Sequence, residues 1–91
     1  MTTTAIVLHR VADYELWRPE YDAIDDTRKA AGVTHQEVLR SQDDPSLVIV
    51  RHDFADRAAA DAFFGGAELK QVMTQAGVDA STLQIHLAEP V

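Results

Sequence analysis

The sequence predicts one α+β domain whose elements run strand, helix, strand, strand, helix, strand. Four segments have the short β-branched runs or the apolar–polar alternation of strands, and two regions have apolar residues at helical spacing. Gly32 and Gly77 directly follow the helical regions, as helix-ending glycines do. Because the chain has 91 residues and no internal repeat, we expect a single domain over residues 1–91.

The four predicted strands differ in their patterns. The first is a compact apolar run, the second alternates weakly, and the third is the clearest strand of the chain. In the last strand Leu83, Ile85 and Leu87 alternate with Gln84 and His86. The predicted strands are Ala5–Arg10, Val33–Arg40, Leu47–Phe54 and Thr82–Ala88.

The helices are bounded by capping residues and glycines. Asp13 can cap the first helix, but Pro19 is tolerated best in a first turn, so we expect that helix to begin near Trp17 or Arg18. Gly65-Gly66 divides the second helical region in two. Its predicted helices are Arg57–Phe64, capped by Asp56, and Ala67–Ala76.

This element order is the split βαβ, or ferredoxin-like, arrangement. Right-handed connections then give an antiparallel sheet of strand order 4-1-3-2, with the helices on one face. Apolar residues make up 46% of the chain, so the other face also carries apolar side chains. We therefore expect a second copy to cover that face in an isologous homodimer, which would form a barrel of two sheets.

Composition excludes several classes of function. A net charge of −7 and dispersed basic residues argue against nucleic-acid partners. There is no cysteine, hence no disulfide, thiolate metal site or cysteine nucleophile. No phosphate-binding loop, dinucleotide fingerprint, zinc spacing or Gly-x-Ser-x-Gly elbow occurs. The first residues predict neither a signal peptide nor a membrane span, so we expect a cytoplasmic protein without a membrane partner.

Four segments carry a resemblance to a known family: Val7–Trp17 (VLHRVADYELW), Arg28–Val33 (RKAAGV), Asp43–Pro45 (DDP) and Gly65–Leu69 (GGAEL). They resemble the dimeric α+β barrel superfamily, and within it the small proteins related to antibiotic biosynthesis monooxygenases and polyketide cyclases. The resemblance implies a homodimer that binds a small hydrophobic or aromatic molecule, with cofactor-free oxygenation or cyclisation as the activity and no cofactor. Several such oxygenases use an Asn together with a Trp or His; this chain has Trp17 and no Asn.

The histidines are the candidate functional residues. A symmetric hairpin around Asp43-Asp44-Pro45 would pair Arg40 with Leu47, His35 with His52, and Glu37 with Val50. His9 then lies at the opposite rim of the sheet. The predicted polar set on the barrel-facing side is His35, Glu37, His52, Gln84 and His86, and the predicted apolar floor is Leu39, Val48, Val50 and Phe54.

Three interpretations of this set remain open. The histidines are ordinary rim residues, or they line a small-molecule pocket with His52 or His86 as general acid or base. Alternatively, His35, Glu37 and His52 bind a metal as a two-His-one-carboxylate set. Trp17 and Tyr21 either pack in the core or form an aromatic pocket wall.

Two functions follow from these interpretations. A cofactor-free oxygenase or cyclase would need an apolar cavity of roughly a few hundred Å³ with converging polar groups. Its substrate-binding residues would be Trp17, Tyr21, His35, Glu37, Val50, Phe54 and Gln84. A non-catalytic dimeric module would instead have a filled barrel and histidines that titrate normally.

Overall fold

The computed structural model describes residues 2–91 as one four-stranded sheet with helices on one face. None of the helices in this range is long and apolar enough to cross a membrane. The elements are β1 (Thr3–Val11), α1 (Tyr14–Ala23), α2 (Asp25–Ala30), β2 (Val33–Arg40), β3 (Leu47–Phe54), α3 (Arg57–Phe64), α4 (Ala67–Gln75) and β4 (Val78–Ala88).

The sheet is antiparallel throughout, with neighbouring strands in the order β2-β3-β1-β4. This confirms the predicted α+β class and the 4-1-3-2 order. The core lies between the sheet and the helices, where Val7, Val48 and Val50 pack against Trp17 and Tyr21 of α1. A second core cluster joins Ala5 and Phe54 of the sheet to Ala60 and Phe63 of α3.

The first helix begins earlier than predicted. Asp13 caps it, because its side chain accepts a hydrogen bond from the Glu15 backbone N–H, and α1 starts at Tyr14. Pro19 therefore lies inside the helix and not in its first turn. The helix breaks at Ile24, whose φ of −104° and ψ of 22° are not helical, and α2 continues to Ala30.

The predicted pairing of β2 with β3 is wrong by one residue. His52 lies opposite Gln36 and not His35, Glu37 lies opposite Arg51, and Arg40 lies opposite Val48. The cause is the connecting turn. The Ser41 hydroxyl accepts hydrogen bonds from the Asp43 and Asp44 amides, and the Ser41 N–H donates to the Leu47 carbonyl, so the loop is one residue shorter than expected.

Because side chains alternate between faces, this shift reverses the predicted faces of β2 relative to β3. His52, Val48, Val50 and Phe54 are buried against the helices, whereas Leu39 lies on the uncovered face and is 50% exposed. The predicted faces of β4 are confirmed, because Leu83 and Leu87 pack in the two core clusters on the helix side while Gln84 and His86 lie on the uncovered face. The strand itself begins at Val78, four residues before the predicted start at Thr82.

The uncovered face carries one apolar row and one mostly polar row. In the first row Leu39, Ile49 and Leu8 are neighbours across three strands, ending at Gln84 on β4. In the adjacent row Glu37, Arg51, Ile6 and His86 follow one another in the same order.

Candidate functional site

A cavity of about 50 Å³ lies between the helices and the sheet. Its walls are mostly apolar, from residues such as Val7 and Val50 of the sheet and Leu69, Val72 and Met73 of α4. The polar groups that reach this wall are those of His9, Tyr21, Arg28 and His52. The volume is well below the few hundred Å³ expected for an oxygenase, and it suffices for a few water molecules.

His52 lies on β3, at the inner face of the sheet, with 4% of its surface exposed. Its Nε2 atom is 2.9 Å from the Tyr21 hydroxyl, whereas its Nδ1 atom is buried and has no hydrogen-bond partner among residues 2–91. Burial, and after it the positive charge of Arg28, lower the pKa of His52 from 6.5 to about 4, although the carboxylate of Asp53 acts in the opposite direction. The imidazole is therefore neutral at pH 7.

The His52 ring is one member of an aromatic ladder along the cavity. His9 meets Trp17 edge-on at 5.8 Å between ring centroids, and Trp17 stacks on Tyr21 at 4.9 Å. Tyr21 is followed by His52 at 6.1 Å and His52 by Phe64 at 6.3 Å, both nearly parallel. Rings in this geometry form a flat apolar wall with weakly polar edges.

Tyr21 connects this wall to the surface. Its hydroxyl hydrogen-bonds to the side-chain oxygen of Gln36, and the Gln36 side-chain nitrogen donates to Asp25 at 2.8 Å. Asp25 also pairs with Lys29 at 3.0 Å. Burial raises the pKa of Tyr21, so its hydroxyl is protonated at neutral pH.

Arg28 is a buried cation beside the same ring. Its side chain is 2% exposed, and its guanidinium carbon lies 3.7 Å from the Tyr21 ring centroid. One terminal nitrogen donates to the Tyr21 carbonyl at 2.7 Å. Within the part of the chain that the structure describes, its Nε has no hydrogen-bond partner. The wall of the cavity thus combines a positive charge, a hydroxyl and a neutral imidazole.

His9 lines the cavity from β1 and is 3% exposed. Burial lowers its pKa. His9 lies opposite Val48, at the other end of the sheet from His52 as predicted, and yet it lines the same cavity. Its Nδ1 is also buried without a partner in residues 2–91.

The predicted site residues fall into two groups on opposite faces of the sheet. Trp17, Tyr21, Val50 and His52 line the cavity, and Phe54 packs edge-on against His52 at 6.3 Å. The other predicted residues lie on the uncovered face, so the prediction of one shared set is wrong. They are His35, Glu37, Gln84 and His86.

The same separation removes His52 from the predicted metal set of His35, Glu37 and His52. Throughout residues 2–91, no group of three or more His, Asp or Glu residues is arranged to hold a metal ion. The two predicted catalytic histidines are also apart, because His52 faces the helices and His86 lies on the uncovered face. In the described part of the chain, the one side-chain hydrogen bond of His86 is to Gln84, at 3.3 Å.

The sequence interpretation missed Arg28, His9 and Gln36. Arg28 follows Tyr21 by seven residues, which places both on one helical stripe despite the break at Ile24. His9 continues the alternation of Ala5 and Val7 that marks the buried face of β1. Gln36 depends on the hairpin register, and no local pattern predicts it.

No family model matches the chain, and neither does any curated protein. Solved structures do match it over nearly its whole length. Rv0793 from Mycobacterium tuberculosis has 16% sequence identity and a TM-score of 0.74, with 100% of this chain and 96% of that chain covered. SnoaB, a cofactor-independent oxygenase from Streptomyces nogalater, has 12% identity and a TM-score of 0.81, with 99% and 93% covered.

A third structure, described as an antibiotic biosynthesis monooxygenase, has 15% identity and a TM-score of 0.74, with 98% of each chain covered. This chain has their fold. At identities of 11–16% the likeness extends to the fold alone, because one fold can host unrelated chemistries.

Proposed function

We propose that the chain binds a small aromatic molecule between its helices and sheet, and that His52 acts on this ligand as general base in a cofactor-free oxidation or cyclisation. The observation that carries the proposal is the unpartnered, buried Nδ1 of neutral His52 in an aromatic wall. A buried polar atom without a partner is rare in native proteins, and a ligand is one way to supply the partner.

The chemistry needs a proton acceptor and a place for negative charge. A neutral imidazole can accept a proton from an activated C–H or O–H group. Arg28, over the ring of Tyr21, then favours the anion that forms. For a methylene substrate, reaction of this anion with dioxygen balances as R₂CH₂ + O₂ → R₂C=O + H₂O. One structural neighbour, SnoaB, is a cofactor-independent oxygenase, which supports this class of reaction.

An aromatic ligand needs more room than about 50 Å³. A depression of about 160 Å³ adjoins the cavity and shares Ile24, Phe63, Leu69 and Val72 with it. Movement of these side chains would join the two spaces. We therefore propose that the ligand enters past α4, whose own residues are only partly buried or exposed.

Binding and turnover test the proposal separately. With 2-naphthol as the probe, we expect saturable binding by the wild-type chain, tighter binding by Leu69→Ala, and loss of at least about tenfold in affinity for His52→Ala. With anthrone, which has an activated methylene, we expect oxygen uptake that His52→Ala abolishes. His86→Ala, on the opposite face, is the matched control for both measurements.

The small cavity favours a second candidate, a dimeric binding module without catalytic activity. It predicts 2-naphthol binding without oxygen uptake for any of the aromatic substrates tested. If neither the wild-type chain nor Leu69→Ala binds aromatic probes, the cavity is simply part of the core and both candidates fail.

Homodimerisation is part of the proposal. The apolar row of Leu8, Leu39 and Ile49 on the uncovered face can pack on the same row of a second copy. In such a dimer the cavity of each subunit remains between its own helices and the inner face of its own sheet. The uncovered face then has a structural role, and the site residues come from one chain.

A further inference from the structure

Four side chains form a hydrogen-bonded chain from the cavity to the surface: His52, Tyr21, Gln36 and Asp25. The Nε2 of His52 lies 2.9 Å from the Tyr21 hydroxyl oxygen. The Tyr21 hydroxyl meets the side-chain oxygen of Gln36, and the Gln36 side-chain nitrogen meets Asp25 at 2.8 Å. Each link is made by groups with few protons to share, so the direction of every bond can be worked out.

The direction is set at the surface. Lys29 and Gln36 hold the pKa of Asp25 below its ordinary value, so this carboxylate is ionised at neutral pH and can only accept hydrogen bonds. Gln36 must therefore turn its amide nitrogen toward Asp25 and its oxygen toward Tyr21. Tyr21 has one hydroxyl proton, which it donates in a hydrogen bond to the Gln36 side-chain oxygen.

This leaves one role for the Tyr21 oxygen at its other contact. Because its only proton is engaged in the hydrogen bond to Gln36, the Tyr21 oxygen can only accept a hydrogen bond from His52, and so Nε2 must carry a proton. A neutral imidazole has a single N–H group. Nδ1 is consequently the bare nitrogen, with a lone pair that nothing else in residues 2–91 satisfies.

We infer that Tyr21 and Gln36 are positioning residues that fix His52 in its Nε2–H tautomer, so that the cavity selects ligands donating a hydrogen bond from a hydroxyl group to Nδ1. Phenols and enols meet this requirement, whereas ethers lack the proton and carboxylates place negative charge against the lone pair. The ligand class rests on the proposed function, because it presumes that the cavity takes a ligand. The tautomer does not rest on it.

The direction of these hydrogen bonds determines which ligands the cavity binds more tightly. A ligand without a donor leaves Nδ1 buried and unpaired, while a hydroxyl satisfies it. One such difference corresponds to about tenfold or more in affinity between two ligands of equal shape. Once Nδ1 is protonated, Tyr21 still accepts a hydrogen bond from Nε2–H, and the dipoles aligned toward Asp25 offset part of the cost that burial and Arg28 impose on the imidazolium.

Long-range ¹H–¹⁵N NMR of the histidine side chains tests the tautomer directly in the ligand-free protein. We expect wild-type His52 to show a protonated Nε2 and a bare Nδ1. In Gln36→Leu the Tyr21 hydroxyl is free to donate to Nε2, so a signal for protonated Nδ1 should appear. Gln84→Leu, beside His86 on the other face, should leave the His52 signals unchanged.

A wild-type His52 with protonated Nδ1 would overturn the inference, as would a Gln36→Leu spectrum identical to that of the wild type. A purely structural role for Gln36 would change stability but not the tautomer. Because Gln36 is exposed on an edge strand, its replacement leaves the core intact, and circular dichroism checks that the variant is folded.

Three naphthalene derivatives of similar shape test the ligand class: 2-naphthol, 2-methoxynaphthalene and 2-naphthoate. We expect wild-type and Leu69→Ala chains to bind the first at least about tenfold more tightly than the other two. Equal binding of all three would overturn the selectivity and leave the proposed function standing. Binding of none by either chain would overturn the proposed function, and the selectivity with it.

Discussion

His52 is neutral in the folded chain because charging it would place a cation in an apolar, aromatic surround next to Arg28. In the unfolded chain it has an ordinary pKa near 6.5. Between pH 6.5 and about 4 the unfolded state therefore binds a proton that the folded state does not. Above pH 6.5 neither state binds it, so the full stability is present there and is lost as the pH falls.

This linkage predicts that the free energy of unfolding decreases by roughly 3 kcal/mol as the pH falls from 6.5 to about 4, from His52 alone. Urea denaturation followed by Trp17 fluorescence measures it. Buried His9, whose pKa is also lowered, acts in the same direction. His52→Gln should show a visibly weaker dependence on pH than the wild type.

His86→Gln is the control for that prediction, since His86 is exposed on the other face of the sheet. It should follow the wild-type stability curve. A His52→Gln variant that loses stability over this pH range as steeply as the wild type would show that His52 is not neutral in the fold.

Arg28 should be the charge that most strongly opposes protonation of His52. We predict that Arg28→Met raises the pKa of His52 toward its ordinary value, as measured by NMR titration of the His52 ring. Arg57→Met removes an exposed arginine that pairs with Asp61 and should leave the titration unchanged. An unchanged His52 pKa in Arg28→Met would assign the whole effect to burial.

At the scale of the elements, the turns determine the strand register, which local sequence patterns do not predict. The bounds of β2, β3 and α3 agree with the predictions because each is delimited by strong signals in its own segment, such as the Asp56 cap of α3. The register of β2 against β3 depends instead on how the Ser41 and Asp44 side chains fold the loop. Either register buries apolar side chains of β3, so alternation alone could not decide between them.

Gly77 links α4 to β4 in the left-handed region, with φ of +81°, and its carbonyl accepts a hydrogen bond from the Ala12 N–H. We predict that Gly77→Ala lowers the free energy of unfolding by roughly 1–2 kcal/mol, because a Cβ is disfavoured at positive φ. The nearest atom to that Cβ would be 3.6 Å away, so the loss is backbone strain and not a clash. Chemical denaturation of the variant measures it.

Gly66→Ala is the matched control. Gly66 has φ of −73°, and a Cβ there would come no closer than 3.5 Å to another atom. This substitution should change stability by no more than about 0.5 kcal/mol. Equal losses for Gly66→Ala and Gly77→Ala would mean that the left-handed conformation is not the cause.

At the scale of the whole molecule, the fold could be predicted because element order, handedness and one-sided burial all limit the topology in the same way. The site could be predicted only in part. Trp17, Tyr21 and His52 line the cavity as predicted. Gln36 contacts Tyr21 only because of the strand register, and His86 was assigned to the site through a wrong face for His52. Long-range pairing decides such positions, and a single sequence contains little information about it.

The uncovered face of the sheet leads to the last prediction, which concerns assembly. Leu39 is 50% exposed within the row that also contains Leu8 and Ile49. In an isologous dimer each such residue occurs twice at the interface, so one substitution acts twice. Leu39→Glu should therefore weaken dimerisation by roughly a hundredfold, taking about 1.4 kcal/mol for each copy. Sedimentation velocity at micromolar concentration measures it. Leu16→Glu, which alters a leucine that is 69% exposed on α1, should sediment as the wild-type dimer does. A wild-type chain that sediments as a stable monomer would contradict the dimer and leave the apolar row without the role proposed for it.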